Sequence, residues 1–146
     1  MPLAAGLIPA AKTVPVVSVT DLDHLEYAPV MSSFGYLVSP PMTLTTRVVG
    51  GRLSFPVLSY NNPDPTMGLR SVTVTTGLGK LDRHTVLRGP MDAMNVALAS
   101  MTYVCRSQDG CVSGYNDTIT IIANDEGFSG KGGPLTQTML IKVAVQ

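Results

Sequence analysis

Residues 116–145 read NDTITIIANDEGFSGKGGPLTQTMLIKVAV, which is two threonine-rich apolar runs joined by a glycine-rich loop. Apolar and polar residues alternate in both runs, and this two-residue period is typical of a β-strand with one buried face. In the first run the inward positions are Ile119, Ile121 and Ala123. In the second run they are Met139, Ile141, Val143 and Val145. The stretch therefore predicts two strands, with glycines that supply positive φ where the loop doubles back.

The same alternation recurs along the rest of the chain. It places inward Met42, Leu44, Thr46 and Val48, then Leu53 and Phe55 after the Gly50–Gly51 bend, then Val72 and Val74. Weaker strands are predicted at residues 13–19, 36–39, 85–89 and 101–105, the last with Tyr103 packing inward. Turn-forming residues separate these segments, as in SPP at 39–41 and NNPDP at 61–65. About seven to nine short, evenly spaced strands predict an all-β fold, an immunoglobulin-like or cadherin-like β-sandwich.

The period changes once, in GPMDAMNVALASM at residues 89–101. Apolar residues there follow helical spacing, at Met91, Met94, Leu98 and Met101. Gly89 can act as the N-cap and Pro90 as the first helical residue, with Asp92 favoured by the helix dipole. We therefore predict one short helix over about residues 90–100. Its methionines are expected to pack in the core, in preference to lining a ligand groove.

Length and composition limit the alternatives. A chain of 146 residues is expected to form one domain over 1–146, with an amino-terminal segment and first strand in residues 1–20. The formal net charge is zero, so no nucleic-acid footprint is predicted, and no apolar run reaches the roughly 18 residues of a membrane span. Charged residues make up 14% of the chain, against about 25% in ordinary soluble domains. Either hydroxyls and glycans keep the surface soluble, or neighbours in an assembly cover part of it.

Two cysteines and a sequon point to the cell exterior. Cys105 and Cys111 enclose RSQDG, and the Asp109–Gly110 turn signal would bring the two thiols together. A disulfide implies an oxidising compartment, whereas the alternative is two free thiols in a reducing cytosol. Asn116 begins an N-glycosylation triplet where a strand starts. Together the two features predict an extracellular or cell-surface protein.

The order of these motifs resembles a known family. VVGGRLSF at 48–55, VTTG at 74–77, LRGPMDAMNVALASMTYV at 87–104 and residues 115–145 follow one another as in tandem cadherin-like, immunoglobulin-like repeats. Such repeats occur in large surface and adhesion proteins of bacteria and of some protists and algae. The matching positions are Asn95, Ala97, Leu98, Ala99, Thr102, Tyr103, Asp117, Thr118, Ile119, Asn124, Asp125, Gly127, Gly130, Gly132 and Gly133.

The resemblance covers residues 42–146 and implies one unit of a larger repeat protein or assembly, stacked on neighbouring β-domains or on copies of itself. CRSQDGC stands where the repeats usually have a loop with proline and asparagine. This departure suits a secreted eukaryotic version.

The loop after Ala123 allows two interpretations. Asn and Asp at a strand end commonly bond their own backbone and shape a turn, so the loop is first of all a corner. The alternative is a calcium site, because oxygen ligands are what calcium prefers. Its candidate ligands are Asn124, Asp125 and Glu126, with Asp21 and Asp23 if the first strand ends near the same pole.

No catalytic constellation is present, so we predict that the chain is not an enzyme. His24 and His84 lie in separate segments, and no phosphate loop or nucleophile elbow is found. The favoured hypothesis is a structural or adhesive module, in a surface filament or coat. The alternative is a module that binds a glycan or a cell-surface protein through its loops, NNPDP and CRSQDGC, with Tyr60, Tyr103 and Tyr115 available for stacking.

Overall fold

The structure, a computed structural model, describes residues 40–127 and 133–146, together with the backbone of three short strands before them. Those strands are β1 (Lys12–Thr13), β2 (Val30–Met31) and β3 (Leu37–Val38). The later strands are β4 (Pro41–Val48), β5 (Arg52–Ser54), β6 (Ser59–Asn61), β7 (Leu69–Ser71), β8 (Thr73–Thr76), β9 (His84–Pro90), β10 (Thr102–Val104), β11 (Asn116–Asn124) and β12 (Thr136–Ala144). Helix α1 spans Met91–Ser100, and a 3₁₀ turn spans Ser107–Asp109.

The main sheet has five strands in the order β12-β11-β4-β9-β8, and every neighbouring pair is antiparallel. A three-stranded sheet, β1-β10-β5, and the hairpins β2-β3 and β6-β7 complete the pairing of the described strands. The core lies between the five-stranded sheet on one side and α1 with β5 and β10 on the other. The all-β, sandwich-like fold with one helix is thus confirmed.

Side-chain alternation in the central strands agrees with the sequence pattern. Met42, Leu44, Thr46 and Val48 of β4 are buried, as are Ile119 and Ile121 of β11. Leu53 and Phe55 are also buried, so the chain keeps its inward register across the glycine bend. In β12, Met139 lies opposite buried Ile121 and so on the inner face, as predicted, but it is 45% exposed. Since β12 is an edge strand, fewer neighbours cover its inner face than cover β11.

Helix α1 begins one residue later than the sequence suggested. Pro90 is extended, with φ −68° and ψ 152°, and caps the helix instead of forming its first turn. Residues of one helical face, Ala93, Met94, Ala97 and Leu98, are buried against the core. Met94 and Met101 are both 0% exposed, so these methionines fill the core as expected.

A buried carboxylate anchors the Gly50–Gly51 bend. Asp117 accepts hydrogen bonds from the backbone N–H groups of Gly50 (3.1 Å) and Gly51 (2.7 Å) and from the Tyr103 hydroxyl (2.8 Å). A Cβ on Gly50 or Gly51 would lie 2.5 Å or 2.2 Å from the ring of Tyr115 or Tyr103. Both positions therefore require glycine for close approach of the backbone to an aromatic ring.

This anchor gives a structural role to several residues of the motifs that resemble cadherin-like repeats. The glycine bend, Tyr103 and Asp117 come from three separate motifs, yet they meet at one point. Burial alone would raise the pKa of the Asp117 carboxyl, but the bonds from Gly51 and Tyr103 outweigh it and hold the pKa below its ordinary value. These motif residues therefore serve the fold directly.

Candidate functional site

The outward face of the five-stranded sheet is rich in threonine. Because β4 and β11 bury alternate residues, the intervening side chains point away from the core. Those of β4, β11 and β12 include Thr43, Thr45, Thr118, Thr120, Thr136 and Thr138. Hydroxyls thus cover much of this face, as the sequence pattern predicted.

Basic residues collect at one end of that face. In a single row across the sheet, Leu140 lies opposite Thr120, Thr120 opposite Arg47, and Arg47 opposite His84. Neighbouring strands lie about 4.8 Å apart, so this row of four residues is roughly 14 Å long. Lys142 lies in the adjacent row and donates to the Thr118 hydroxyl at 3.2 Å.

A shallow groove opens at this basic end. It has a volume of about 530 Å³ and is lined by Arg47, Val49, Arg83, His84, Thr118 and Thr120. The side chains of Arg47 and His84 are exposed, and Val49 is 72% exposed. The groove therefore offers cationic groups, hydroxyls and a small apolar surface to the same ligand.

Positive charge exceeds negative charge next to the groove. Asp109 accepts from Arg106 Nε at 2.8 Å and from Arg52 Nη2 at 3.0 Å, and Arg83 Nη2 lies 3.8 Å from the same carboxylate. The hydrogen bonds from Arg106 and Arg52 lower the pKa of Asp109 to about 2. One carboxylate thus faces three guanidinium groups, and the charge of Arg83 is left largely uncompensated.

Arg47 has no carboxylate partner among the residues that the structure describes. The nearest buried acid under this end of the sheet is Asp117, which is 4% exposed and bonded to Gly50, Gly51 and Tyr103. Its carboxylate lies on the inner side of the sheet with the Tyr103 hydroxyl. The groove surface itself is therefore cationic.

The predicted disulfide is present. Cys105 and Cys111 are joined, with a Cα–Cα distance of 5.3 Å, and both are buried. Between them the 3₁₀ turn presents Asp109, and Gly110 adopts the left-handed conformation with φ 78°. The pairing of Asp109 with Arg52 connects the disulfide loop to β5. The loop is thus part of the scaffold beside the groove.

The side chains of Asn124, Asp125 and Glu126, at the end of β11 and in the loop after it, are bonded to groups of the protein itself. The Asn124 side chain accepts from the Glu126 N–H at 2.7 Å, and Asp125 accepts from the N–H groups of Gly127 (2.9 Å) and Leu135 (2.8 Å). Glu126 pairs with Arg88 at 3.0 Å. These contacts are those of a shaped corner, the first of the two interpretations.

Within the described ranges, no further acidic side chains join the predicted calcium ligands. There, no three His, Cys, Asp or Glu side chains come together in a group that could hold a metal ion. Asp21 and Asp23, the other predicted ligands, lie outside the described residues. A calcium site thus stays a prediction that depends on those residues or on a neighbouring domain.

The side chains that were predicted to bind a glycan at the loops mostly form hydrogen bonds or packing contacts within the fold. The Tyr60 hydroxyl donates to Asp92 at 2.8 Å, and Asn62 Nδ2 and Arg70 Nε donate to the same carboxylate at 3.2 and 3.1 Å. Burial and the bond to Asp92 raise the pKa of Tyr60. Tyr103 is buried, so the prediction that it stacks on a sugar is wrong.

Asn116 is exposed at the start of β11, opposite Ala144. Glycosylation at this position would place a glycan at the end of the outer sheet edge. His24, the other histidine considered, lies outside the described residues.

Sequence reasoning missed the groove because its residues belong to different strands, and only the register of those strands brings them together. The available signal was the outward position of Arg47 within the alternation of β4.

Comparisons of the chain with protein-family models, with curated proteins and with solved structures find no match. The resemblance to cadherin-like repeats therefore stays a prediction. Among the described residues, no helix has the length and apolar content needed to cross a membrane.

Proposed function

We propose that this chain is a non-catalytic, extracellular structural or adhesive module that associates with neighbouring β-domains or copies of itself through the edge strand β12. The proposal rests on the unpaired outer edge of that strand in the described structure. β12 is nine residues long and pairs with β11 on one side, and none of the other described strands pairs with its opposite side. Within the described part of the chain, the outward backbone groups of β12 thus have no strand partner and are available to a further strand.

The side chains of β12 lack the features that usually prevent an edge strand from pairing with another chain. Edge strands of monomeric proteins are commonly guarded by charged residues, proline or bulges. β12 contains one charged residue, Lys142, and no proline. Leu135, Met139 and Leu140 are 58%, 45% and 57% exposed on or beside it. Such an edge suits addition of a strand from a neighbouring module.

Two hydrogen-bonded acids, one buried and one half-buried, support a scaffold role. Asp117 and Asp92 accept hydrogen bonds from backbone, tyrosine or arginine groups of the core and of the β6–β7 hairpin. Their charges are used to hold loops and the helix in place. The disulfide is consistent with an oxidising compartment, which favours the cell exterior.

Sedimentation velocity over a range of concentrations tests the association. We expect the wild-type chain to form dimers or larger species and Leu140→Lys to shift the distribution towards monomer. Val112→Lys is the matched control, because Val112 is 51% exposed in the loop after the disulfide and the charge change is the same. A wild-type chain that stays monomeric at every concentration, or equal effects of the two variants, would contradict association through β12.

The alternative, a carbohydrate-binding module, is favoured by a different observation. The NNPDP and CRSQDGC loops are held by internal hydrogen bonds, whereas the groove of the outer sheet face is open and cationic. Any glycan recognition is therefore best placed at the groove.

A further inference from the structure

We propose that the cationic groove on the outer sheet face binds a sulfated polysaccharide. The groove is lined by Arg47, Val49, Arg83, His84, Thr118 and Thr120. This inference goes beyond the association through β12 and does not depend on it, because β12 contributes none of these lining residues.

The charge distribution selects an anionic ligand. Arg47 has no acidic partner in the described part of the chain, and Arg83 is 3.8 Å from a carboxylate that Arg52 and Arg106 already bind. The Arg83 side chain is 44% exposed, so its guanidinium group can turn towards a ligand. Planar guanidinium groups pair with oxyanions through two parallel hydrogen bonds, and sulfate esters offer such oxygens.

The shape and the other side chains favour a polysaccharide over other polyanions. The row of Thr120, Arg47 and His84 gives an extended site across three strands, in which threonine hydroxyls can exchange hydrogen bonds with sugar hydroxyls. The described outer face of these strands carries no Phe, Tyr or Trp side chain, the large aromatic groups on which nucleic-acid bases commonly stack. The zero net charge also disfavours a general nucleic-acid surface.

The test compares the binding of dextran sulfate and unsulfated dextran by isothermal titration at low salt. The variants are Arg47→Gln, Arg83→Gln and the double variant. We expect the wild type to bind only dextran sulfate, each single substitution to weaken binding roughly two- to fivefold, and the double substitution to weaken it about tenfold or more. Binding should also weaken as salt is added.

Arg88→Gln is the matched control. Arg88 is also an exposed arginine on the outer face of β9, but it lies at the other end of the strand and pairs with Glu126. It should leave the affinity within about twofold of wild type. Thermal melting confirms that the substituted chains are folded.

Three outcomes would overturn the proposal. They are no binding of dextran sulfate by the wild type, an equal loss in Arg88→Gln and Arg47→Gln, and binding of a short DNA duplex as tight as that of dextran sulfate. The β12 variant Leu140→Lys adds a positive charge beside the groove and should bind dextran sulfate at least as tightly as the wild type. Failure here is therefore distinguishable from failure of the association through β12.

Discussion

At the scale of single residues, polar groups in the core fall into two kinds. Asp117 is buried and fully engaged, with donors from the glycine bend and from Tyr103. Thr46 is equally buried, at 0% exposed, but its hydroxyl has no hydrogen-bond partner. Since an unpaired buried hydroxyl costs about 1–3 kcal/mol, Thr46 is a point where the sequence departs from maximal stability.

Replacement of Thr46 by Val should stabilise the protein by about 1 kcal/mol, because it removes that hydroxyl and keeps the branched shape. The free energy of unfolding, measured by urea denaturation, checks this. Thr85, directly across the strand pair, is the matched control: it is also 0% exposed, but its hydroxyl donates to Asp82 at 3.3 Å. Thr85→Val should therefore destabilise by about 1 kcal/mol. Equal effects of the two substitutions would refute the distinction.

At the scale of elements, the disulfide loop joins parts that are distant in sequence. It follows β10, and its Asp109 is bonded to Arg52 of β5 and lies near Arg83, just before β9. The loop enclosed by Cys105 and Cys111 is short, so the entropic contribution of the crosslink is modest. Its further role is to keep Asp109 among the three arginines.

Removal of the disulfide should destabilise the chain without unfolding it. The loop-closure model gives about 2 kcal/mol for a loop of this size, which corresponds to a decrease in Tm of about 4–8 °C. Calorimetry of the double variant Cys105→Ala with Cys111→Ala checks the value, and wild type with reductant serves as the comparison. A reductant should leave the Tm of the double variant unchanged. Global unfolding at room temperature would mean that the crosslink holds the whole fold.

At the scale of the whole molecule, the sequence predicted the architecture better than the site. The alternation of apolar and polar residues in β4 and β11 was sufficient to predict both strands and their buried faces, because a strand with one buried face has a two-residue period. The helix and the disulfide followed from local spacing. Asp117 as the anchor of the glycine bend was not predictable, since 66 residues separate it from Gly51. The groove was missed for the same reason. The exposure of Met139 was not predictable either, because alternation does not reveal that a strand lies at an edge.

The anchoring carboxylates give the whole molecule a defined response to acid. The pKa of Asp109 is lowered to about 2, chiefly by hydrogen bonds from Arg106 and Arg52. Those of Asp92 and Asp117 are also lowered, because their hydrogen bonds outweigh the effect of burial. The unfolded chain, with ordinary aspartate pKa values near 3.9, then binds more protons than the folded chain in this range. The stability contributed by these groups is complete above about pH 5 and is lost progressively as the pH falls towards 2.

Urea denaturation at a series of pH values between 7 and 2 should therefore show a nearly constant free energy of unfolding down to about pH 5 and a steep decrease below it. Asp117→Asn provides the control, because asparagine cannot titrate and presents an NH₂ group to donors. It should lower stability at neutral pH by about 3 kcal/mol and make the decrease in acid shallower than in wild type. A wild-type profile that stays flat down to pH 2 would contradict this account. An unchanged slope in the variant would contradict the part assigned to Asp117, since its carboxylate would then not contribute to the loss of stability in acid.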